Sequence, residues 1–546
     1  MHKIAHKAFQ LPVLESGLWF HNDIRDNFYY ASYLYAAAED KEIEVAFDRE
    51  AAKDKAAKMM LEIFKLQDRN PSSPTFGHWP LHLDPIPKEA PKNTLPVELM
   101  GSLMVYFYKR YGTGFHDVLR GAFEQGLQYV YQSNFYRKRM EHYHHHEAKY
   151  TAAKLLFGQL FDDRELLEDG QQSLQDTLAR LSQVGMSEYG CLPWFWHWVQ
   201  AFTCAWELTE DSVIRTALTR MLDYLWDVRA TYYLRGAWVG AHSRAWWHDL
   251  PKDQNVLMDY VQFGDFELPE EMPRTEFAGF LFYEAPQSAR ELALHRTEPV
   301  EIKCKVPRPA AEAGEPLHSY VYLTRDYAVG GIWERAEEFD NEQHRFSVTF
   351  PLLGDRSVNR AYFFLAAEMN APEDLRHQSG FTEVLYYQNC AAALFTAPAT
   401  YRGQVVGCLP KGDWLEAAGS LYGSYGNIFL AVHIEQPFKR EEHEDRWTLT
   451  TSGAGNAVVM ECIDKAVAEG LGITELTSFM AKMEQRKPVF HLSRSKDAGS
   501  EWSVEYISLR GNRLELKEPN ENFSKALING IQPDYSRYFY HGIDFL

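Results

Sequence analysis

Cysteine is scarce in this 546-residue sequence, and its six cysteines include no C-x-x-C pair. Scattered thiols indicate neither a disulfide framework nor a structural zinc motif, so we expect them to be reduced. Long apolar runs are also absent, since none approaches the roughly 20 residues that span a bilayer. The N-terminus lacks the apolar core of about 7–15 residues that marks a secretory signal. These absences predict a cytoplasmic protein without a membrane partner.

Positive charge is in the minority, with 56 lysines and arginines against 76 acidic residues and a formal net charge of −20. This acidic excess argues against nucleic acid as a partner, because nucleic-acid binding needs a basic surface. An acidic ligand would need a locally basic cleft. Aromatic residues are abundant, at 33 Phe, 31 Tyr and 14 Trp, which excludes a disordered chain. Such rings fill cores, and they also line clefts that bind sugars.

The first 285 residues or so have the period of amphipathic helices. Asp48, for example, is a good N-cap for a helix whose apolar positions are Ala52, Ala56, Met59, Met60 and Ile63. The predicted helices come in pairs that start near residues 23, 95, 143 and 192. Helix pairs that recur along a chain predict stacked hairpins, either as a solenoid or as a closed α/α toroid.

From about residue 315 the period changes to two, which predicts β-strands. Residues 427–436 (NIFLAVHIEQ) alternate in this way, and residues 502–518 predict two strands around a tight turn at Gly511-Asn512. A Pro- and Ala-rich stretch, 306–316, lies near the join. The predicted fold class is α+β multidomain, with an α/α toroid over residues 1–285 and an antiparallel β-sandwich over residues 286–546.

The first segment with candidate chemistry is residues 139–147, where four of the five residues 142–146 are histidines. If the segment is helical, His142 and His146 share a face at i,i+4 and could hold a divalent metal or an anionic substrate. The alternative is a solvated helix start.

The second segment, residues 187–198, places Glu188 and Tyr189 on a loop before an aromatic helix that contains Trp194. Functional residues concentrate on such loops, so Glu188 is a candidate general acid and Tyr189 a candidate proton carrier. The structural alternative makes Ser187 a helix cap and the aromatic rings core.

The third segment, residues 235–249, gives the strongest local signal. His242 and Arg244 share a face if the backbone is extended, and Trp238 and Trp246 flank them. The fork of Arg244 suits a carboxylate, although the arginine could instead pair with Asp249 in a structural role. Two weaker candidates are a Trp/His loop at 77–84 that contains Trp79, and residues 342–344, which end in His344.

Several common catalytic motifs are missing. The sequence has no P-loop, no dinucleotide-binding glycine fingerprint and no H-E-x-x-H zinc-protease motif. It also lacks a G-x-S-x-G nucleophile elbow.

The segments AKLLFGQLFDDRELLEDG (153–170), SEYGCLP (187–193) and GAHSRAWWHD (240–249) resemble the heparinase II/III-like polysaccharide lyases. This family combines an α/α toroid of six hairpins with a β-sandwich. The resemblance implies an acidic, uronate-containing substrate whose carboxylate is neutralised by an Asn or His. It assigns that role to His145 or His146, the work at the scissile bond to Tyr189, and a second histidine to His242 or His344. The chain departs from the family where HYHHHE replaces an Asn-His pair and where Trp194-Phe195 replaces a Tyr.

The expected reaction is β-elimination on an acidic oligo- or polysaccharide, for which no cofactor is required. Arg244 with His145 would bind the carboxylate, His242 would be the base or a carboxylate partner, and Tyr189 would carry the proton. Sugar-binding positions would be Trp79, Glu188, Trp194, Trp238, Trp246 and His146. The alternatives are a glycoside hydrolase that uses Glu188 with Asp84 or Asp249, and a non-catalytic carbohydrate-binding protein. The sequence does not predict an oligomeric state.

Overall fold

A computed structural model describes residues 1–272, 274–308, 314–335, 343–354, 357–368, 375–377, 379–492, 502–520 and 523–541. The chain forms two compact units. Unit 1 comprises residues 1–182, 193–225 and 271–285, and unit 2 comprises residues 183–192, 226–270 and 286–546. The boundary expected after residue 285 coincides with the last residue of unit 1, while two segments of the helical half group with the strands.

Helices dominate the first 294 residues, and two short helices follow among the strands. The helices are α1 (His2–Gln10), α2 (Ile24–Glu39), α3 (Arg49–Lys65), α4 (Leu95–Tyr111), α5 (Asp117–Gln132), α6 (His145–Leu160), α7 (Arg164–Val184), α8 (Leu192–Leu208), α9 (Ser212–Thr231), α10 (Leu257–Gln262), α11 (Gln287–Leu294), α12 (Lys465–Glu469) and α13 (Leu476–Glu484). Asp48 caps α3 as predicted, since its carboxylate accepts a hydrogen bond from the N–H of Ala51 at 2.7 Å. Within the described residues, no helix is both long enough and apolar enough to cross a bilayer.

Burial alternates from one helix of unit 1 to the next. α2, α4 and α6 each bury 12 residues, whereas α3, α5 and α7 bury 7, 5 and 7. A helix that is buried nearly all round lies in an inner layer, and one with a single apolar stripe lies in an outer layer. The alternation therefore gives the two layers of helical hairpins predicted for the toroidal part of the chain.

Four short strands occur in the helical region, in two hairpins: β1 (Trp79–Pro80), β2 (Lys92–Asn93), β3 (Tyr233–Leu234) and β4 (Ala237–Trp238). The other strands follow α11. They are β5 (Val300–Val306), β6 (Leu317–Leu323), β7 (Ala328–Ile332), β8 (Phe346–Thr349), β9 (Arg360–Leu365), β10 (Thr382–Tyr387), β11 (Cys390–Thr396), β12 (Gln404–Pro410), β13 (Asp413–Ala417), β14 (Ser420–Tyr425), β15 (Ile428–Ile434), β16 (Phe438–Glu442), β17 (Arg446–Ser452), β18 (Ala454–Asp464), β19 (Val489–Leu492), β20 (Trp502–Ile507), β21 (Arg513–Asn520), β22 (Phe523–Ile528) and β23 (Phe539–Tyr540).

Three sheets of unit 2 pack around one apolar core. The strand orders are β16-β17-β12-β9-β8-β7-β6-β5-β23, β10-β11-β18-β15-β14-β13 and β19-β20-β21-β22. All of their pairs are antiparallel except β23 with β5. Buried residues from all three sheets, such as Val348, Leu394 and Leu516, belong to the same core, which is the packing of a sandwich. The predicted order of a helical part followed by antiparallel sheets is confirmed.

Strand β15 and the β20–β21 hairpin test the predicted strand pattern. Every residue of β15 is buried, although the alternation in the sequence suggested one covered face. The reason is that Phe479 of α13 stacks on Phe429 of β15, so that a helix covers one face and the sheet core covers the other. β20 and β21 pair as predicted, with Ile507 opposite Arg513, and Gly511 adopts a left-handed φ of 83° in the turn.

Candidate functional site

Tyr189, His242 and His344 are held together in unit 2 by backbone hydrogen bonds. The N–H of Ser243 donates to the carbonyl oxygen of Tyr189 at 2.9 Å, and the Ser243 hydroxyl donates to the same oxygen at 3.0 Å. His242 and His344 exchange two backbone hydrogen bonds, with N···O distances of 3.1 and 2.9 Å. Residues far apart in the sequence thus form one group. We call this group, together with the residues of unit 2 that are described beside it below, the unit 2 site.

Gly190 allows the Tyr189 loop to approach the His242 segment. Its φ is 63°, in the left-handed region, and a Cβ atom there would lie 1.9 Å from the carbonyl oxygen of Ala241. Any other residue would clash with backbone, so only glycine fits this contact.

A third histidine joins the unit 2 site from a neighbouring strand end. The ring centre of His344 lies 6.0 Å from that of His242 and 5.2 Å from that of His377. The three side chains are at most 4% exposed. Burial lowers the pKa of His242 and of His344 well below the usual value, and it lowers the pKa of His377 to about 3. All three imidazoles are therefore neutral near pH 7.

The neutral state of His242 does not fit its expected role as the base or as a partner of the substrate carboxylate. An uncharged imidazole cannot neutralise a carboxylate, and a pKa well below the usual value also makes it a weak base. Its Nδ1–H donates to the carbonyl oxygen of Gly240 at 3.1 Å, which leaves Nε2 as an acceptor without a partner among the described residues. His344 is 1% exposed, so direct contact with a solvent-borne substrate, as expected from the sequence, does not fit its position either.

Tyr189 is half-buried and lies beside Gln343, from the weaker candidate segment 342–344, and beside Arg345, which the sequence did not single out. The Gln343 amide donates a hydrogen bond to the Tyr189 hydroxyl at 3.2 Å. Arg345 interacts electrostatically with Tyr189, and although burial lowers the pKa of Arg345 to about 10, the guanidinium remains charged at neutral pH. A hydrogen-bond donor and a cation both stabilise a phenolate, the form of tyrosine that accepts a proton.

Arg244 and Arg376 lie over the same indole ring. Their guanidinium carbons are 3.9 and 5.0 Å from the ring centre of Trp246, which is half-buried. The predicted structural alternative also occurs, because Nη2 of Arg244 is 3.1 Å from Oδ2 of Asp249. Two cations thus lie beside one ring on this acidic protein, and one of them is paired with the carboxylate of Asp249.

The predicted histidines at 145 and 146 belong to unit 1. His145 is 6% exposed and stacks on Trp194, with ring centres 5.0 Å apart. Nδ1 of His146 donates to Glu98 at 2.7 Å. Although burial opposes ionisation, the hydrogen bond from His146 and the charge of Lys149 hold the pKa of Glu98 well below its usual range. The joint action of His145 and Arg244 stays a prediction, because Arg244 belongs to unit 2.

The expected pairing of His142 with His146 on one helical face is wrong. Helix α6 begins at His145, and the side chain of His144 accepts a hydrogen bond from the N–H of Glu147 as the N-cap. His142 therefore precedes the helix. Across the described residues, no group of three or more His, Cys, Asp or Glu side chains is arranged to hold a metal ion.

Two tryptophans predicted to bind sugar are core residues. Trp79 is 0% exposed, and its indole N–H donates to the carbonyl oxygen of Ile63 at 3.0 Å. Trp238 is 3% exposed and packs against the Tyr232 ring and the Arg229 guanidinium. Neither indole has a face left for a ligand, so these two predictions are wrong.

The other candidates are accessible to different degrees. Glu188, Trp194 and Trp246 are half-buried. Asp84, offered as a partner of Glu188 in hydrolysis, pairs with His21 at 2.9 Å in unit 1, whereas Glu188 lies in unit 2. Glu342, which precedes Gln343, lies outside the described residues.

Comparisons with known proteins give similarity in structure only. No family model matches the chain, and no curated protein matches it. A heparinase III structure has a TM-score of 0.46 and 11% identity, covering 90% of this chain and 82% of that chain. A chondroitinase AC lyase structure has a TM-score of 0.45 and 9% identity, covering 96% and 90%. A heparan sulfate lyase from Pedobacter heparinus has a TM-score of 0.39 and 10% identity, covering 95% and 89%. At this low identity no activity and no residue role is taken from these structures.

Proposed function

We propose that the protein cleaves uronic-acid-containing oligo- or polysaccharides by β-elimination at the unit 2 site. The observation that carries this proposal is the junction of two segments, 189–190 and 241–244, at hydrogen bonds from Ser243 to Tyr189. The junction supports the proposal because the loop of Tyr189 is bonded to the segment of Arg244, and elimination beside a carboxylate uses a proton carrier and a cation.

The carboxylate of the sugar would bind to Arg244 and Arg376. The proton on C5 is weakly acidic because the charge that develops on its loss lies next to a carboxylate. Guanidinium groups neutralise that carboxylate and stabilise the enolate-like transition state. Stacking on Trp246 holds both guanidinium groups beside one ring, and the sugar carboxylate would replace Asp249 at Arg244.

Tyr189 would carry the proton. As a phenolate, stabilised by Gln343 and Arg345, it takes the C5 proton. The released electron pair forms the C4–C5 double bond, the C4–O4 bond breaks, and the protonated Tyr189 returns its proton to the departing oxygen. His242 and His344, being neutral and buried, support the backbone bridge and do not exchange this proton.

The test is a spectroscopic assay on a panel of uronate-containing oligosaccharides. Elimination creates a conjugated double bond, so ultraviolet absorbance increases with time. Tyr189→Phe should abolish the increase, whereas Tyr260→Phe, a half-buried tyrosine elsewhere in unit 2, should not. The absence of any increase over the whole panel would refute elimination. New reducing ends without absorbance would point to hydrolysis instead.

A further inference from the structure

Unit 1 contains a cavity of about 220 Å³ that no part of the proposed reaction uses. This volume holds about seven water molecules at ~30 Å³ each. Helix α8 supplies one wall, since Pro193, Trp196, His197 and Gln200 follow the i, i+3, i+4, i+7 pattern of one helical face. Helix α2 supplies another wall, with Asp26 and Tyr29, and residues 274–276 complete the lining.

Gln200 lines the cavity without a hydrogen-bond partner for its amide among the described residues. The residue is 3% exposed. Nδ1 of His197, one helical turn earlier, is also buried without a hydrogen bond among the described residues. Buried polar groups are seldom left unsatisfied, because each costs the desolvation energy of its donors and acceptors. The two side chains therefore indicate a polar occupant.

The charges around the cavity compensate one another. Asp23 and Arg25 form a salt bridge at 2.5 Å, with two further hydrogen bonds from the Arg25 Nε. Arg274 and Glu276 add one positive and one negative group to the lining. A cavity of this kind carries little net charge, so it gives no advantage to an anion or a cation.

Asp26 and His197 reduce the charge further. Burial and the neighbouring carboxylate of Asp23 raise the pKa of Asp26 to about 7. Burial, with the nearby charge of Lys149, lowers the pKa of His197 well below its usual value, so its ring is neutral. A protonated carboxyl, a neutral imidazole and an amide each combine donor and acceptor capacity. Hydroxyl groups, which also donate and accept, complement such a set.

The remaining lining is apolar. Leu99, Pro193 and Trp196 are buried and face the same cavity. A ligand that places C–H groups on one side and hydroxyl groups on the other suits this combination.

We propose that this cavity binds a neutral, hydroxyl-rich ligand of about the size of a single sugar ring, with Gln200 and His197 as its principal hydrogen-bond partners. The proposal does not rest on β-elimination, because none of the residues involved belongs to the unit 2 site.

Isothermal titration calorimetry at about pH 6 tests this site, with a panel of neutral hexoses, pentoses and hexitols and with the corresponding hexuronates. At least one neutral compound should bind, and more tightly than its uronate. Gln200→Met, which keeps the length of the side chain, should weaken that binding by about tenfold or more, the loss typical of a buried hydrogen bond. Gln125→Met, at an exposed position of α5, should leave binding unchanged.

Three results would overturn the proposal: no binding by any neutral compound, tighter binding of the uronate, or equal affinity in Gln200→Met. Circular dichroism and the melting temperature establish that the variants are folded. Tyr189→Phe should bind normally. Loss of elimination in that variant together with retained ligand binding therefore separates the two proposals.

Discussion

The guanidinium group of Arg244 lies over the ring of Trp246, 3.9 Å from its centre, while Nη2 of the same arginine is 3.1 Å from Asp249. One side chain thus takes part in a cation–π contact and in an ion pair. The carboxylate of Asp249 and that of a substrate would compete for the same donors. Binding of an acidic sugar is therefore expected to displace Asp249 from Arg244, with Arg376 as the second cation at the ring.

The arginine pair gives the first prediction. Arg244→Gln and Arg376→Gln should each raise KM for an acidic oligosaccharide by about tenfold, since a charge-assisted hydrogen bond contributes roughly 1.5–3 kcal/mol. Steady-state kinetics on folded variants measure the effect. Arg440→Gln is the matched control, because Arg440 lies 4.4 Å from the ring centre of Trp447 and Lys411 lies 4.9 Å from it. If the Arg440 variant changed KM equally, the effect of the Arg244 and Arg376 variants would come from lost protein stability and not from lost substrate binding, and the prediction would be wrong.

The second prediction concerns Gln343. Its amide donates to the Tyr189 hydroxyl at 3.2 Å, and removal of this donor destabilises the phenolate. Gln343→Met should lower kcat/KM by about tenfold at neutral pH, the effect of one hydrogen bond on a charged group, and the rising limb of the pH–rate profile should move to higher pH. Gln404→Met, at the exposed start of β12, should have the wild-type profile. A lower rate with an unshifted profile would assign Gln343 a purely structural role.

The third prediction concerns Gly190. Alanine there would adopt an unfavourable φ and would also place Cβ 1.9 Å from the carbonyl oxygen of Ala241. Gly190→Ala should reduce the free energy of unfolding by about 3 kcal/mol or more, in the range of strongly strained substitutions. Gly472→Ala has a similar φ of 77° but no atom within 4 Å, so it should cost about 1 kcal/mol. Urea unfolding compares the two variants, and similar losses would mean that the Tyr189 loop can move away.

The fourth prediction concerns pH and Asp26. The pKa of Asp26 is raised from 3.8 to about 7 on folding, so the unfolded chain ionises first. The free energy of unfolding therefore falls as pH rises from about 4 to 7, and the loss is complete above that range. Asp26→Asn removes this pH-dependent contribution and should be more stable than the wild type at pH 8, by at most about 4 kcal/mol and by less where solvent screens this half-buried group, but not at pH 4. Asp54→Asn, at an exposed position of α3, is the matched control variant. A constant difference across this pH range would contradict the shift.

Periodicity alone predicted that a helical part precedes the β-strands. The helical period before residue 285, the cap at Asp48 and the hairpin at Gly511-Asn512 depend on neighbours within a few residues, and the structure confirms them. The segments around Tyr189 and around His242 and Arg244 were also found from sequence, because glycine, charge and aromatic residues are concentrated there. Such local concentrations of residue types can be recognised from the sequence alone.

Pairing between distant segments determined which residues meet at the site. Arg376 and His377 stand in no motif, and Gln343 was part of a weaker candidate segment without an assigned role. Among the described residues, the bridges of His344 with His242 and of His377 with Ala366 bring them to the site. Trp79 and Trp238 look like ligand-binding rings in the sequence, yet packing buries both. The sequence by itself determined which elements form and which segments carry reactive groups, since those depend on local propensity. Only the tertiary structure decided which of those groups meet, which are buried and which are charged, because these properties depend on residues far away along the chain.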